Sequence, residues 1–384
     1  MKQIIFNKEP AFINRKNELE LLDEWIHQRP EYILFMYGPK SSGKTTLLMK
    51  FIERYMNTKD YDIKHFNLRE ILIGNYKDFI QAFFEIDYSK SKEDVKAKRE
   101  YNLKVFKLSK EIVKSLDNKS LDPFIVMKKE LVKIIKKGRQ PVIIIDELQA
   151  LDNIYMNGQR ELLKELFNFF VSLTKESHLC HVIISSSDGF FMNRIYKDSK
   201  LTKTSDFVEV DYLSKKDIIY WLKNLEKESS ISAYKLSDRQ ILTLYTFFGG
   251  SMWEISLILG KLIKHAKNNK IADDDLMSVI NKQISINIGK YNHYVGLNKQ
   301  KYLLFKLILS VQTINIFFKE IHLISLISDK TYDDENLRNE LTELVKQNFL
   351  SFNPTTDTYQ LQGKSMFHAL ADYIKGFEKM EKFL

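Results

Sequence analysis

Short apolar segments alternate with amphipathic ones along the first 210 residues of the chain. Five apolar runs have the length of β-strands: EYILFMYG, DIKHFNL, PVIIIDE, CHVIISSS and DFVEV. Segments between them, such as KTTLLMKFIERYM, place apolar residues every three or four positions, which is the spacing of one helix face. Strands that are buried on both faces and alternate with helices predict a parallel sheet with helices on both sides. The predicted fold class is therefore α/β over residues 1–210.

Helical patterns replace the strand-like runs after Val210. Ser214 precedes an amphipathic segment and is a predicted N-cap. Gly249 and Gly250 follow another helical segment and can end it by adopting left-handed backbone conformations. These features predict a small, all-helical domain over residues 211–290.

The last part of the chain combines helices with two short alternating segments. Helical patterns end with DENLRNELTELVKQ, and the alternating segments FLSF and TYQLQ follow, separated by the turn sequence NPTTD. A helix followed by two short strands and a turn indicates a two-stranded wing. We predict a winged helix-turn-helix domain over residues 291–384.

The segment GPKSSGKT, from Gly38 to Thr45, contains two glycines separated by four residues and followed by Lys-Thr. It lies between a predicted strand and a predicted helix, where backbone N–H groups and the helix N-terminus bind phosphate groups. We expect Lys44 to reach the β- and γ-phosphates and Thr45 to ligate Mg²⁺. The predicted nucleotide-binding residues of this loop are Gly38, Pro39, Lys40, Ser41, Ser42, Gly43, Lys44, Thr45 and Thr46.

Two acidic residues end the apolar run VIIIDE. Asp146 is a predicted Mg²⁺ ligand together with Thr45, and Glu147 is predicted to polarise the attacking water. Adjacent carboxylates at a strand end are also found as solvated loop residues, but their place in an alternating α/β chain with a phosphate-binding loop favours catalysis. Glu147 is the residue that extends the prediction from binding to hydrolysis.

Serines end the next apolar run, at residues 185–187. In a parallel sheet they emerge at the same edge as Asp146, so we expect one of them to position the water or sense the γ-phosphate. The spacing does not decide which serine acts, and Ser186 is the selected candidate. A serine-rich turn is the alternative. Arg194 follows shortly afterwards and is a candidate arginine finger for a neighbouring subunit, or else an ordinary surface arginine.

The net charge of +9 is concentrated in one internal segment. Residues 89–140 hold 16 Lys and Arg against 7 Asp and Glu, a difference of +9, whereas residues 291–384 hold 11 of each sign. A lysine-rich pair of helices with a solvated face explains the basic segment, and a polyanion-binding surface is the alternative. The neutral C-terminal domain makes DNA a weaker candidate partner than the total charge suggests.

The remaining composition indicates a protein outside the membrane and secretory classes. Cys180 is the single cysteine, which excludes an intrachain disulfide and favours a reducing compartment. No apolar run approaches the roughly 20 residues that a membrane span requires. We therefore expect a soluble, cytoplasmic protein.

Several motifs together resemble those of the archaeal-type ATPases of the STAND class, which are relatives of AAA+ proteins. The resemblance covers about residues 10–260 and rests on the following segments: FINRKNELELL, YGPKSSGKTTLL, FNLRE, IIIDELQAL, the serine-rich strand and FFGGSMWEI. It implies a sheet of strand order 5-1-4-3-2, a helical lid over the nucleotide and a winged helix that moves with nucleotide state. It also implies ATP as the ligand.

Further site residues follow from the resemblance alone. Asn14 and Arg15 correspond to a region near the adenine in such proteins. The lid motif GG-x-P, which contacts nucleotide in the family, corresponds to residues 249–252, so Met252 replaces the family's proline. The Gly-Arg pair often found before the fifth strand is replaced by KLTKTSD, which contains lysines only.

Three functions are compatible with these residues. The first is a molecular switch that binds ATP and Mg²⁺, hydrolyses ATP slowly, and contacts a protein partner through the winged helix. The second is a DNA-binding ATPase resembling AAA+ replication initiators, and the third is a nucleotide-binding scaffold without turnover. An oligomer is compatible with each of them.

Overall fold

The computed structural model describes most of the chain, namely residues 11–86, 106–108, 122–156, 158–189, 191–192, 201, 203–296, 298–326 and 333–381. Two predicted features fall largely or wholly outside these residues. Arg194 is one, and most of the basic segment 89–140 is the other. Their predicted roles therefore remain predictions.

A five-stranded parallel sheet forms where the five apolar runs were expected. Eleven strands are described in all: β1 (Ile33–Tyr37), β2 (Tyr61–Asn67), β3 (Phe84–Ile86), β4 (Phe106–Leu108), β5 (Gln140–Asp146), β6 (Tyr155–Met156), β7 (Arg160–Glu161), β8 (His181–Ser186), β9 (Ser205–Glu209), β10 (Leu350–Asn353) and β11 (Thr358–Leu361). The five-stranded sheet consists of β1, β2, β5, β8 and β9, and all its neighbours run parallel.

The order across this sheet is β2-β5-β8-β1-β9. These numbers differ from the predicted 5-1-4-3-2 because four short strands of two separate sheets, β3, β4, β6 and β7, lie between β2 and β8 in the chain. Counted among the five strands alone, the order is 2-3-4-1-5, which has the predicted neighbours when it is read from the opposite edge. β1, the strand that leads into the phosphate-binding loop, thus lies between β8 and β9.

Burial of the five strands differs from the prediction at the two edges of the sheet. The strands β1 and β8 are buried along their whole length, and β5 along all but its first residue. The edge strand β2 instead alternates between buried and half-buried residues, and only Val208 of β9 is buried. An edge strand has a neighbour on one side only, so its side chains are covered less completely.

Helices cover both faces of the sheet and continue to the C-terminus. The described helices are α1 (Lys16–Ile26), α2 (Lys44–Tyr55), α3 (Tyr76–Phe83), α4 (Pro123–Lys136), α5 (Leu162–Val171), α6 (Lys215–Lys223), α7 (Leu225–Ser229), α8 (Asp238–Phe248), α9 (Met252–Leu262), α10 (Asp273–Val295), α11 (Lys299–Ile314), α12 (Glu320–Ile324), α13 (Asp334–Lys346) and α14 (Lys364–Glu381). Alternate residues of the strands pack on opposite helix layers. Ile144 packs with α1 and α2, whereas Ile143 and Ile145 pack with α3, α4 and α5.

The helical region and the C-terminal region share one apolar core. A single cluster of buried side chains extends from Leu213, before α6, to Ile374 in α14. The predicted boundary between residues 290 and 291 falls inside α10, which continues without interruption to Val295. The 23 residues of α10 therefore connect the two regions as one rigid element.

The C-terminal region has the element order expected from its sequence pattern. After α11, Phe318 forms an isolated antiparallel bridge with Tyr359 of β11. The helices α12 and α13 follow, and the antiparallel hairpin β10–β11 comes next, with Leu350 paired to Leu361. No helix within the described ranges combines the length and apolarity that crossing a membrane requires.

A glycine-specific contact fixes the helical region to the chain segment after the sheet. A Cβ atom on Gly250 would lie 2.0 Å from the backbone oxygen of Leu213, and the amide of Leu213 donates to the Gly250 carbonyl at 3.2 Å. Because the obstructing atom belongs to the backbone, a side chain at residue 250 displaces the start of α9.

We expect Gly250→Ala to lower the free energy of unfolding by about 1–3 kcal/mol, the usual cost of overpacking. Gly260→Ala is the matched control in α9, where a Cβ meets no atom within 4 Å. Alanine there should raise stability by about 0.5–1 kcal/mol, because glycine is a poor helix former. Urea-induced unfolding followed by circular dichroism measures both, and equal midpoints for the two variants would contradict the packing account.

Candidate nucleotide site

The loop Gly38–Gly43 leaves β1 and turns into α2 as the sequence predicts. Gly38 has a φ of +149°, and a Cβ there would lie 2.2 Å from the Val210 carbonyl oxygen. Gly43 has a φ of +99° and directly precedes α2. Both positions therefore require glycine for backbone reasons. The N-terminus of α2 points its free N–H groups into the loop, which suits an anion.

Lys44 is buried beneath this loop. Its Nζ atom donates to the carbonyl oxygens of Gly38 and Pro39, at 2.9 Å each. Burial lowers the pKa of Lys44 to about 8, and the nearby carboxylates of Glu147 and Asp146 oppose that shift. The ammonium group thus sits at the centre of the loop, where charged phosphate oxygens offer stronger acceptors than neutral carbonyls.

Thr45 and Asp146 lie next to each other at the carboxyl edge of the sheet. The Thr45 hydroxyl donates to Oδ2 of Asp146 at 2.6 Å, and Asp146 is 2% exposed. A hydroxyl and a carboxylate are the hard oxygen donors that Mg²⁺ prefers beside substrate phosphates. The two side chains therefore fit the predicted metal site.

Glu147 has an unusual backbone conformation and three side-chain partners. Its φ of +62° is in the left-handed region, which costs about 1–3 kcal/mol for a residue other than glycine. The carboxylate accepts from the guanidinium group of Arg69, from the amide of Gln149, and from the Ser187 hydroxyl at 3.0 and 3.2 Å. The strained backbone aims this carboxylate toward the phosphate-binding loop, and the three donors hold it there.

Ser186, the candidate selected from the serine run, bonds to neighbouring protein groups. It is fully buried, and its hydroxyl donates to the Gln149 side chain at 2.9 Å and accepts from the Asp188 amide at 3.0 Å. Ser187, the first residue after β8, lines the cavity beside Glu147. Ser186 supports Gln149, which in turn supports Glu147.

Asn14 and Arg15 connect the site to its surroundings. One Arg15 nitrogen, Nη2, donates to the carbonyl of Ser42 in the loop at 2.8 Å and to that of Asp211 at 2.7 Å. The Asn14 amide donates to Asp217 of α6 at 2.7 Å and is exposed to solvent. Arg15 thus ties the phosphate-binding loop to the segment that leads into the helical region.

A cavity of about 320 Å³ lies above these residues and has a polar and an apolar end. Its polar lining consists of Arg15, Lys40, Ser41, Ser42, Gly43, Lys44, Thr45, Thr46, Arg69, Glu147, Ser187 and Ser256. Its apolar lining consists of Ala11, Phe12, Ile13, Met252 and Trp253. Trp253 is 58% exposed, and the Arg54 guanidinium lies 5.2 Å from the centre of the Phe12 ring. The shape and chemistry suit a ligand with phosphates and a flat, apolar ring.

The C-terminal hairpin contacts the sheet beside this cavity. The Tyr37 hydroxyl, at the end of β1, lies 3.0 Å from the Thr355 hydroxyl, and the Asn353 amide donates to Glu209 at 3.0 and 3.1 Å. A Cβ on Gly189 would lie 2.3 Å from the Phe352 carbonyl oxygen. Burial is the main cause that raises the pKa of Glu209, and the bonds from Asn353 and Tyr37 oppose it. The hairpin thus rests on the strand ends that carry the site.

Four residues of the site were absent from the sequence prediction or lacked a role in it. Arg69 lies in the segment FNLRE, which entered only as part of the resemblance, and Ser187 lies in the serine run. Gln149 follows the acidic pair by two positions. Trp253 follows Met252 and carries no signal of its own. Pairing between β2 and β5 brings Arg69 to Glu147, and a sequence pattern does not specify such long-range contacts.

Comparison with known proteins supports the assignment of the fold. A family model described as an ATPase domain predominantly from Archaea matches residues 12–258. An uncharacterized ATP-binding protein of Methanocaldococcus jannaschii is 32% identical over 378 residues, covering 97% of this chain and 96% of its own. A second such protein of that organism is 30% identical over 380 residues and covers 95% and 98%.

A solved structure gives the same fold at low sequence identity. The ORC2 protein of Aeropyrum pernix, in ADPNP and ADP complexes, superposes with a TM-score of 0.54 and 10% identity over 98% of both chains. At this identity the likeness concerns the fold alone. The extent of the family match and the similarity to a relative of nearly equal length together establish that the chain belongs to the family of ATPase domains found predominantly in Archaea.

Proposed function

We propose that this protein is a molecular switch that binds ATP, hydrolyses it slowly, and sets the position of its helical lid and C-terminal region by nucleotide state. One observation carries the proposal. β1 leads directly into the phosphate-binding loop, and Tyr37 at its end contacts the C-terminal hairpin through Thr355. A change in the conformation of the loop therefore reaches the hairpin through one residue, Tyr37.

ATP is the proposed ligand because each part of the cavity suits one part of that molecule. The loop residues and Lys44 receive the phosphates. Phe12 and Trp253 supply aromatic faces at the apolar end, where a purine base can stack. The names of the two Methanocaldococcus relatives as ATP-binding proteins favour adenine over guanine.

Thr45 and Asp146 are the proposed holders of Mg²⁺. When bound, the ion would neutralise charge on the phosphate oxygens. Lys44 stabilises the same charge from within the loop. Glu147 accepts the proton of the attacking water, since it is the carboxylate that lines the cavity beside the loop.

Slow turnover is proposed because Glu147 is engaged by three other groups. Arg69, Ser187 and Gln149 donate to the carboxylate oxygens and compete there with water. Two departures from the family pattern also favour slow turnover. Met252 replaces the family's proline, and lysines replace the arginine before β9. Arg194 keeps its proposed role as an arginine finger acting on a neighbouring subunit of an oligomer.

We further propose that the C-terminal region is a winged helix with a protein partner. Its long exposed helix α13 holds four acidic residues against two basic ones, which disfavours contact with DNA phosphates. The hairpin, which is the proposed wing, already packs on Tyr37 and Glu209 in this arrangement. Retention on duplex DNA at physiological salt would favour the DNA-binding alternative instead.

Lys44→Ala is expected to weaken ATP binding by about tenfold to hundredfold, because a hydrogen bond to a charged group contributes about 1.5–3 kcal/mol. Fluorescence of Trp253 reports binding, since the other two tryptophans, Trp25 and Trp221, are 4% and 0% exposed. Lys50→Ala is the matched control, a lysine of the same helix that pairs with Glu53 at 2.8 Å. Equal affinities of the two variants would contradict the assigned role of Lys44.

Glu147→Gln is expected to bind ATP at parental affinity and to lower phosphate release by about 10²–10⁴-fold, the usual contribution of a general base. Glu20→Gln changes an exposed carboxylate of α1 and is the control. Turnover by Glu147→Gln at the parental rate would refute the catalytic assignment. Absence of Mg²⁺-dependent release from the parent would favour the scaffold alternative, and a rate that rises with protein concentration would indicate a site shared between subunits.

Arg69→Ala is expected to raise the basal rate of phosphate release about twofold to fivefold, because a partly exposed ion pair contributes about 0.5–1 kcal/mol. The physical reason is that the Glu147 carboxylate loses one of its three donors and is free to turn toward water. Arg69→Lys keeps the charge and should stay near the parental rate. A large decrease with Arg69→Ala would mean that Arg69 orients Glu147 for catalysis instead of restraining it.

A further inference from the structure

A polar junction joins the first turn of α9 to the N-terminus of α14. Ser365, the second residue of α14, is fully buried and donates its hydroxyl hydrogen to Glu254 of α9. The amide of Asn287 in α10 donates to the Ser365 oxygen at 3.2 Å. Three helices therefore meet at one serine hydroxyl.

The same turn of α9 forms part of the nucleotide cavity. Met252, Trp253 and Ser256 line the cavity, whereas Glu254 contacts α14. Consecutive residues of an α-helix are separated by about 100° around its axis, so one rigid turn presents both faces. If a bound ring displaces the backbone of Trp253, the same rigid turn also moves Glu254.

A second connection runs from this junction to the phosphate-binding loop. The Tyr212 hydroxyl donates to the Lys40 carbonyl at 3.1 Å. Gly363, just before α14, has a φ of +86°, and a Cβ there would lie 3.6 Å from both the Tyr212 hydroxyl and the Glu254 Oε2. The N-terminus of α14 thus lies beside Tyr212, which bonds to the phosphate-binding loop, and beside Glu254, which belongs to the helix that carries Trp253.

The stability of the Glu254 carboxylate at this junction depends on the distance between α9 and α14. Burial raises the pKa of Glu254, and hydrogen bonds from Ser365 and Ser251 oppose that shift. Among the described residues no Lys or Arg forms an ion pair with Glu254, so these donors and the positive end of the α14 dipole are its compensation. The half-buried carboxylate of Glu254 depends on close donors, and a small shift of α14 relative to α9 removes the Ser365 hydroxyl from it.

We propose that the Glu254–Ser365 contact transmits occupancy of the nucleotide cavity to the C-terminal region. This proposal rests on the proposed switch function and names the residues through which the switch acts. A base against Trp253 displaces the first turn of α9, the contact changes, and α14 moves together with the hairpin that packs on Tyr37.

Hydrogen exchange of the hairpin amides, residues 350–361, tests this proposal in the full chain. We expect ATP with Mg²⁺ to change the exchange rates of the parent about tenfold, since local opening governs exchange. In Ser365→Ala and Glu254→Gln, the hairpin should exchange at the same rate with and without ATP, while Trp253 fluorescence gives an affinity within about threefold of the parent. Glu226→Gln changes an exposed carboxylate of the same region and should respond as the parent does.

The outcomes separate failure of the junction from failure of the switch. A parent whose hairpin responds to ATP, together with variants that respond equally, overturns the role of Glu254 and Ser365 alone. A parent whose hairpin ignores ATP overturns the switch and the junction with it. If Ser365→Ala does not fold, Glu254→Gln decides the question, because it keeps the shape of the side chain while it replaces the charged carboxylate by a neutral amide with one acceptor oxygen.

Discussion

The close approach between Gly38 and Val210 is the constraint on which the rest of the site depends. The carbonyl of Val210 occupies the space that a side chain at residue 38 would need, and the Val210 amide donates to the Tyr37 carbonyl at 2.8 Å. Arg15 strengthens this connection by bridging the carbonyls of Ser42 and Asp211. The phosphate-binding loop and the segment that leads to α6 are therefore held together as one rigid unit.

This unit is the structural basis of the proposed link between nucleotide state and shape. The loop side carries Lys44, the proposed phosphate-binding residue, and Thr45, whose hydroxyl bonds to Asp146. The segment side continues through Leu213, whose amide holds Gly250 at the start of α9. Since α9 provides Trp253 to the cavity and Glu254 to α14, the ligand contacts elements that belong to all parts of the chain.

Local sequence patterns predicted the parts of the fold that depend on local physics. The glycines of the loop, the five strands and the hairpin after α13 all follow from spacing and turn chemistry, because each requires only neighbouring residues. Spacing did not decide among the serines at the end of β8: Ser187 lines the cavity just beyond the strand, whereas Ser186 bonds to Gln149. The Arg69–Glu147 pair and the continuity of α10 through residue 290 depend on contacts distant in sequence. The sequence therefore predicted the phosphate-binding residues more specifically than the residues that would couple nucleotide binding to a change of shape.

A distance measurement between the ATPase core and the C-terminal region tests the central claim most directly. Cys180 is 0% exposed, so spin labels can be placed selectively on cysteines introduced at the exposed positions Glu20 of α1 and Glu335 of α13. Pulsed electron spin resonance on the Glu147→Gln protein would compare the nucleotide-free, ADP and ATP states. The account predicts a shift of the distance distribution between the ATP state and the other two that exceeds the width of each distribution. Superimposable distributions in all three states, with ATP binding shown on the same sample, would contradict it.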